Sequence, residues 1–145
     1  MTNEQGSDDL EDRLRAALDE AGVPGLVSAY LFGSRAEGRS HRESDVDIGV
    51  LLDRGIHATG AERFDAGLRL SGRLQAALRT DRIDLVILND APPLLGRRIV
   101  TAGRRLRCSD DAADHAYRRD AQLRAADVEP FLRRARERKL AALAR

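Results

Sequence analysis

Tryptophan is absent from this chain, and two tyrosines with three phenylalanines make up the whole aromatic content, 3% of 145 residues. A core built from it is therefore aliphatic, made of Leu, Val, Ile and Ala. Cysteine is almost missing as well. Cys108 stands alone, which excludes an intrachain disulfide and a cysteine zinc cluster and makes a reducing cytoplasm the expected setting. With no basic partner in view, it reads as a small core residue rather than a nucleophile. No apolar run approaches the roughly 20 residues of a membrane span, and the first residues lack a basic stretch leading into an apolar one, so neither an anchor nor a secretory signal is expected. Lysine is reduced to Lys139, and arginine carries nearly all the positive charge. His41, His57 and His115 are too scattered for metal-ligand spacing and read as surface residues, so no zinc site is expected.

Charged residues make up 34% and hydrophobic ones 42%, the composition of an ordinary soluble protein. The net charge of +1 conceals ends of opposite sign: Met1 to Glu20 holds seven acids against two arginines, and Val128 to Arg145 six basic residues against two acids. The length suits one domain. Residues 1–6 read as a disordered start, 7–108 as a core and 109–145 as a helical extension, with no internal repeat.

Leu10, Leu14, Ala17, Leu18 and Ala21 recur at helical spacing after a Ser7 cap, and Gly22 with Pro24 ends that helix. Leu26 to Phe32 is almost wholly apolar, as a strand buried on both faces would be. Val46 to Leu52 is a second strand. Thr59 and Glu62 form a capping box opening a helix expected to bury Phe64, Leu68, Ser71, Leu74 and Leu78. Ile83 to Leu88 is a third strand, followed by a helix entered at Pro92-Pro93 with Leu94, Leu95, Ile99 and Ala102 as its stripe and Gly103 as its stop. Leu106 to Cys108 suggests a short extra strand. From about Asp110 two helices broken near Pro130 are expected, the last with a thin stripe of Val128, Phe131, Leu132, Ala135 and Leu143.

The chemistry concentrates between Leu31 and Leu52. Asp45 and Asp47 head the second strand and project from one face, because strand side chains alternate. Asp84 stands near the start of the third strand. Three carboxylates on adjacent strands make an oxygen-rich pocket suited to Mg²⁺, which prefers carboxylates, waters and substrate phosphates. The plainer alternative is that Asp45 caps a turn and Asp47 is a solvated strand residue. Gly33 and Ser34 likewise either end a strand or let backbone approach a phosphate group. Arg35, Arg39 and Arg42 in the following loop either neutralise phosphate charge or are solvated. The basic stretch Arg133 to Lys139 is either a solvated face or a docking surface for an acidic partner or RNA.

Taken together, GSRAEGRSHRESDVDIGVLL followed by RIDLVILNDAPPLL resembles the minimal nucleotidyltransferases of the DNA polymerase β superfamily, over about Leu26 to Arg107. The small size and the Asn-x-Ala-Pro-Pro-Leu segment resemble, more narrowly, the MNT-domain antitoxins that pair with HEPN-domain RNase toxins. The resemblance implies an α/β fold: a small mixed sheet flanked by helices, with a C-terminal helical extension. It implies that Asp45 and Asp47 bind Mg²⁺ and the triphosphate, that Gly33 and Ser34 hold its phosphates, and that Asp84 helps deprotonate the acceptor hydroxyl; the residues themselves add Asp84 to the candidate metal-binding acids and Arg35 to the candidate nucleotide contacts. The implied reaction moves AMP from ATP to a tyrosine of the toxin, within a hetero-oligomer; with no separate nucleic-acid-binding module evident in the sequence, direct nucleic-acid binding is not expected, and the expected location is the cytoplasm. Glu37, where relatives often carry a basic residue, and Cys108, where an aromatic is common, depart from the pattern. Two alternatives remain: an antitoxin that neutralises by binding alone, and an enzyme that modifies a small molecule.

Overall fold

The computed structural model describes residues 3–36 and 45–144. Among them the order is α1 (Asn3–Ala21), β1 (Leu26–Phe32), β2 (Val46–Leu52), α2 (Gly60–Leu78), β3 (Ile83–Ile87), α3 (Pro93–Ala102), β4 (Arg104–Cys108) and α4 (Asp111–Leu143). The four strands form one mixed sheet in the order β3-β2-β1-β4. β1 runs antiparallel to β2 and β4, while β2 and β3 are parallel and are joined by the α2 crossover.

β1 is buried on both sides, as its composition requires. One face meets α1 and α2 through Leu14, Leu18, Leu70 and Leu74, packed on Ala29, Leu31, Ile48 and Val50. The other meets α3 and the first half of α4, where Val27, Tyr30 and Leu51 pack with Leu88, Ile99 and Val100, and Tyr117 closes the cluster. Among the described residues no helix is long and apolar enough to cross a membrane.

Several local expectations are corrected. α1 begins at Asn3, ahead of Ser7, so the leading segment is largely helical; the expected Ser7 cap lies outside the described side chains. α2 buries Arg63, Ala66, Gly67, Leu70, Leu74 and Leu78, and turns Phe64 and Leu68 to solvent. The reason is close approach: a Cβ on Gly67 would stand 2.9 Å from Ile87 Cδ1, so the helix meets β3 through its small residues. α3 buries Gly96, Ile99 and Val100 rather than Ala102, because Gly96 makes room for the Tyr117 hydroxyl. α4 is one helix through Pro130. Proline removes one backbone donor there, but the surrounding turn is exposed, so water can satisfy the carbonyl it leaves unpaired. The late apolar residues Phe131, Leu132 and Leu143 are exposed, not packed. His57 is buried, its Nε2 lying 2.8 Å from the Pro24 carbonyl.

Candidate active site

β1 ends at Phe32 and the chain turns at Gly33 with φ +76°, a conformation that side-chain-bearing residues rarely adopt. Space imposes the same choice. A Cβ on Gly33 would overlap Asp47 Oδ2 and lie 3.2 Å from its Cγ. Sheet register brings the two together, since Phe32 and Asp47 are cross-strand partners.

The same register organises the acids. β2 and β3 pair Asp47 with Asp84, and paired residues share a sheet face. Asp45, two residues before Asp47, falls on that face by alternation. All three carboxylates thus stand at one end of the sheet, where β1 finishes and β2 and β3 begin. α3 covers this face only as far as Gly49, whose added Cβ would meet Ile99 Cγ2 at 2.9 Å. The acids lie beyond that cover. Asp47 is half-buried, while Asp45 and Asp84 are exposed.

Burial pushes the Asp47 carboxyl above the ordinary carboxylate range, and the negative charges of Asp84 and Asp45 push it further in the same direction. Such a site favours a cation that would relieve the repulsion. Among the described residues no three His, Cys, Asp or Glu side chains already stand close enough to hold a metal together. The donor set nevertheless fits Mg²⁺, which commonly keeps several waters and takes one or two carboxylates plus substrate phosphate oxygens. Ser34 and Arg35 follow Gly33 in a single 3-10 turn, both half-buried. Glu37, Arg39, His41 and Arg42 lie outside the described residues.

Three supporting contacts were not read from the sequence. Asn89 clamps the end of β2, accepting from the Leu52 amide at 2.9 Å and donating to the Leu52 carbonyl at 2.8 Å. Its place in the Asn-x-Ala-Pro-Pro-Leu segment was the available signal. Arg63 holds Asp90 through two hydrogen bonds of 2.8 Å and also donates to the carbonyls of His57 and Ala58, which ties the start of α2 to the turn after β3. The Tyr30 hydroxyl donates to buried Asp114 on α4, at 2.7 Å from Oδ1 and 2.9 Å from Oδ2, and Arg105 reaches Asp114 Oδ2 at 3.3 Å. Burial first, then the hydrogen bond and charge of Asp114, push the Tyr30 phenol up to about 12. Cys108, half-buried on β4, has its thiol pushed up by burial and by hydrogen bonding to Asp111, which is the environment of an unreactive thiol.

A family model described as "Polymerase beta, Nucleotidyltransferase" matches residues 21–112, which include β1, the Gly33 turn and all three acids. An 86-residue stretch, 58% of the chain, is 40% identical to the protein adenylyltransferase MntA of Shewanella oneidensis. That stretch covers 55% of the curated relative, so the chain matches about half of its length. Among solved structures, one similar chain comes from a toxin–antitoxin crystal structure with AMP-PNP, at TM-score 0.63 and 29% identity over 86% of this chain and 97% of that one. Another comes from a complex of tri-AMPylated Shewanella oneidensis HEPN toxin with MNT antitoxin, at TM-score 0.59 and 25% identity over 89% and 98%. The matched region contains the sheet, the Gly33 turn and the three acids, and the chain belongs to the polymerase beta nucleotidyltransferase family.

Proposed function

We propose that this chain is a Mg²⁺-dependent nucleotidyltransferase that moves AMP from ATP to a tyrosine hydroxyl of a cognate HEPN RNase toxin and so acts as its antitoxin. The observation that carries this reading is the register of β2 with β3, which sets Asp84 beside Asp47 and both on the face of Asp45. The kinship to an adenylyltransferase and to antitoxin chains solved with a toxin supports the choice of nucleotide and acceptor.

In this reading Asp45 and Asp47, with Asp84 alongside, hold the metal, which supplies positive charge against the triphosphate. The backbone of Gly33 and the hydroxyl and amide of Ser34 cradle phosphate oxygens, since only glycine leaves that space beside Asp47. Arg35 adds positive charge on the same turn. The acceptor oxygen attacks the α-phosphorus, the bond from that phosphorus to the bridging oxygen breaks, and pyrophosphate leaves. Asp84, exposed at the end of the sheet, takes the acceptor's proton. ATP as donor and a reducing environment for Cys108 both suit the cytoplasm.

The test is transfer of the labelled AMP moiety of ATP, with Mg²⁺, to a HEPN-domain protein encoded next to this chain. Asp84→Asn should reduce labelling by at least about a hundredfold, the usual scale for a lost acid–base group, and Asp45→Asn should reduce it together with the Mg²⁺-dependent affinity for the nucleotide. Undiminished labelling by both variants would contradict the assignment. Absence of any Mg²⁺-dependent nucleotide affinity would favour neutralisation by binding alone.

A further inference from the structure

The sheet ends at β3, and among the described residues no strand pairs with its outer edge. The Val46 amide donates to the Arg82 carbonyl at 2.8 Å, and Val46 is registered with Ile83. Parallel alternation then turns Asp84 and Val86 toward β2, and points the N–H and C=O groups of Ile83, Leu85 and Ile87 outward. A groove of about 480 Å³ runs along this edge, floored by Leu85, Val86 and Ile87 and flanked by Phe64 of α2 and Leu95 of α3. Phe64 is 62% exposed, and Leu68, one turn further along the helix, is 57% exposed. Edge strands are usually guarded by charge, proline or cover. Here Asp90 and Pro92 line part of the groove, but its walls along the strand are the large apolar side chains, and it opens one residue past Asp84.

We propose that the outer edge of β3 is the acceptor-docking site, where an extended segment of the partner protein adds as a further strand and brings its hydroxyl to Asp84. The proposal rests on the reading that the acceptor is a protein. An edge ladder of alternating donors and acceptors is matched by an extended polypeptide, whereas a helix has already satisfied its own backbone and a sugar has no such repeat. At ~3.3 Å per residue, the span from Asp84 to Ile87 takes about four residues. The recognised segment therefore carries the hydroxyl at one end, and within about four positions of it an apolar side chain for the Phe64 or Leu95 wall.

The probe is an undecapeptide library with a fixed central tyrosine, offered to the full chain with Mg²⁺ and α-labelled ATP, with amide hydrogen exchange followed in parallel. The expected result has three parts. Labelled peptides are enriched in apolar residues on one side of the tyrosine, exchange slows at Leu85 and Ile87, and Phe64→Glu raises the peptide KM about tenfold or more, a loss of roughly 1.4 kcal/mol, with kcat retained. Phe64 is exposed, so this variant keeps its core. Ile87→Pro is a second probe: φ there is −83°, close to proline's own, and the N–H it removes points outward. It should raise KM in the same way. Slowed exchange without labelling supports the docking edge and sinks transfer to protein. Labelling that ignores both variants, with no slowing at Leu85 and Ile87, overturns the docking edge and leaves transfer standing. Failure of both readouts overturns both. Slowing that grows with protein concentration in the absence of peptide assigns the edge to a second copy of this chain and overturns the proposal.

Discussion

A half-buried carboxylate held beside two others is costly until a cation arrives, and Asp47 is in that position. Its proton affinity is raised in the folded chain, so the folded state holds that proton more tightly than the unfolded one. The associated stability is present below the unfolded carboxylate pKa and is lost as pH rises through the folded one. Asp47→Asn should therefore melt higher than the wild type at neutral pH without metal, and the gap should close on acidification. A lower melting point for the variant at neutral pH would contradict the repulsion. Gly33→Ala is the opposite case, combining a positive φ with overlap on Asp47 Oδ2. Loss of about 1–3 kcal/mol in urea unfolding, with loss of nucleotide binding, is expected. The acids and this glycine were legible because each declares itself locally: carboxylates at alternate positions heading a strand, and a glycine where one ends. Tyr30 and Asp114 were not, because their contact joins residues 84 apart and no local pattern encodes it.

Among the elements, β1 and β2 follow the limits their apolar runs set, and the Thr59 cap forms as its spacing requires, accepting from the Glu62 amide at 3.1 Å. Helix faces were harder to read. Periodicity alone makes Phe64 and Leu68 a plausible buried stripe of α2, but tertiary approach through Gly67 and the reach of Arg63 to Asp90 rotate the helix the other way. The buried Arg63 guanidinium makes that pair structurally important. Arg63→Ala should cost about 1–3 kcal/mol, because it leaves two helix-entry carbonyls, and the part-exposed Asp90 carboxylate, without their donor. Arg63→Lys should not restore it, since an ammonium cannot make the two-pronged contact. The Arg63 guanidinium holds the Asp90 carboxyl below the ordinary range. The stabilisation is thus present above the unfolded carboxylate pKa and is lost as pH falls through the folded value, and the Arg63→Ala penalty should shrink in acid. A penalty under about 0.5 kcal/mol in urea unfolding would contradict this account.

On the scale of the whole molecule, the chain is a sheet covered on both faces with one long helix running off it. α4 is about 50 Å long, its buried residues end at Ala125, and Phe131 to Leu143 stand exposed. Deleting residues 131–145 should therefore change unfolding free energy by less than about 1 kcal/mol, because the Arg97–Glu129 pair it leaves behind is a surface contact in any case. A loss well beyond that would show that the arm supports the core. The sequence read this arm as a separate helix because Pro130 is a strong local signal, while the solvation that lets the helix continue is a property of the fold. Parallel reactions with α-labelled and γ-labelled ATP test whether the end of the sheet performs nucleotidyl transfer. Label from the α-phosphate should become covalently attached to the partner protein while γ-label leaves as pyrophosphate; γ-label on the partner, or no label of either kind, would contradict it.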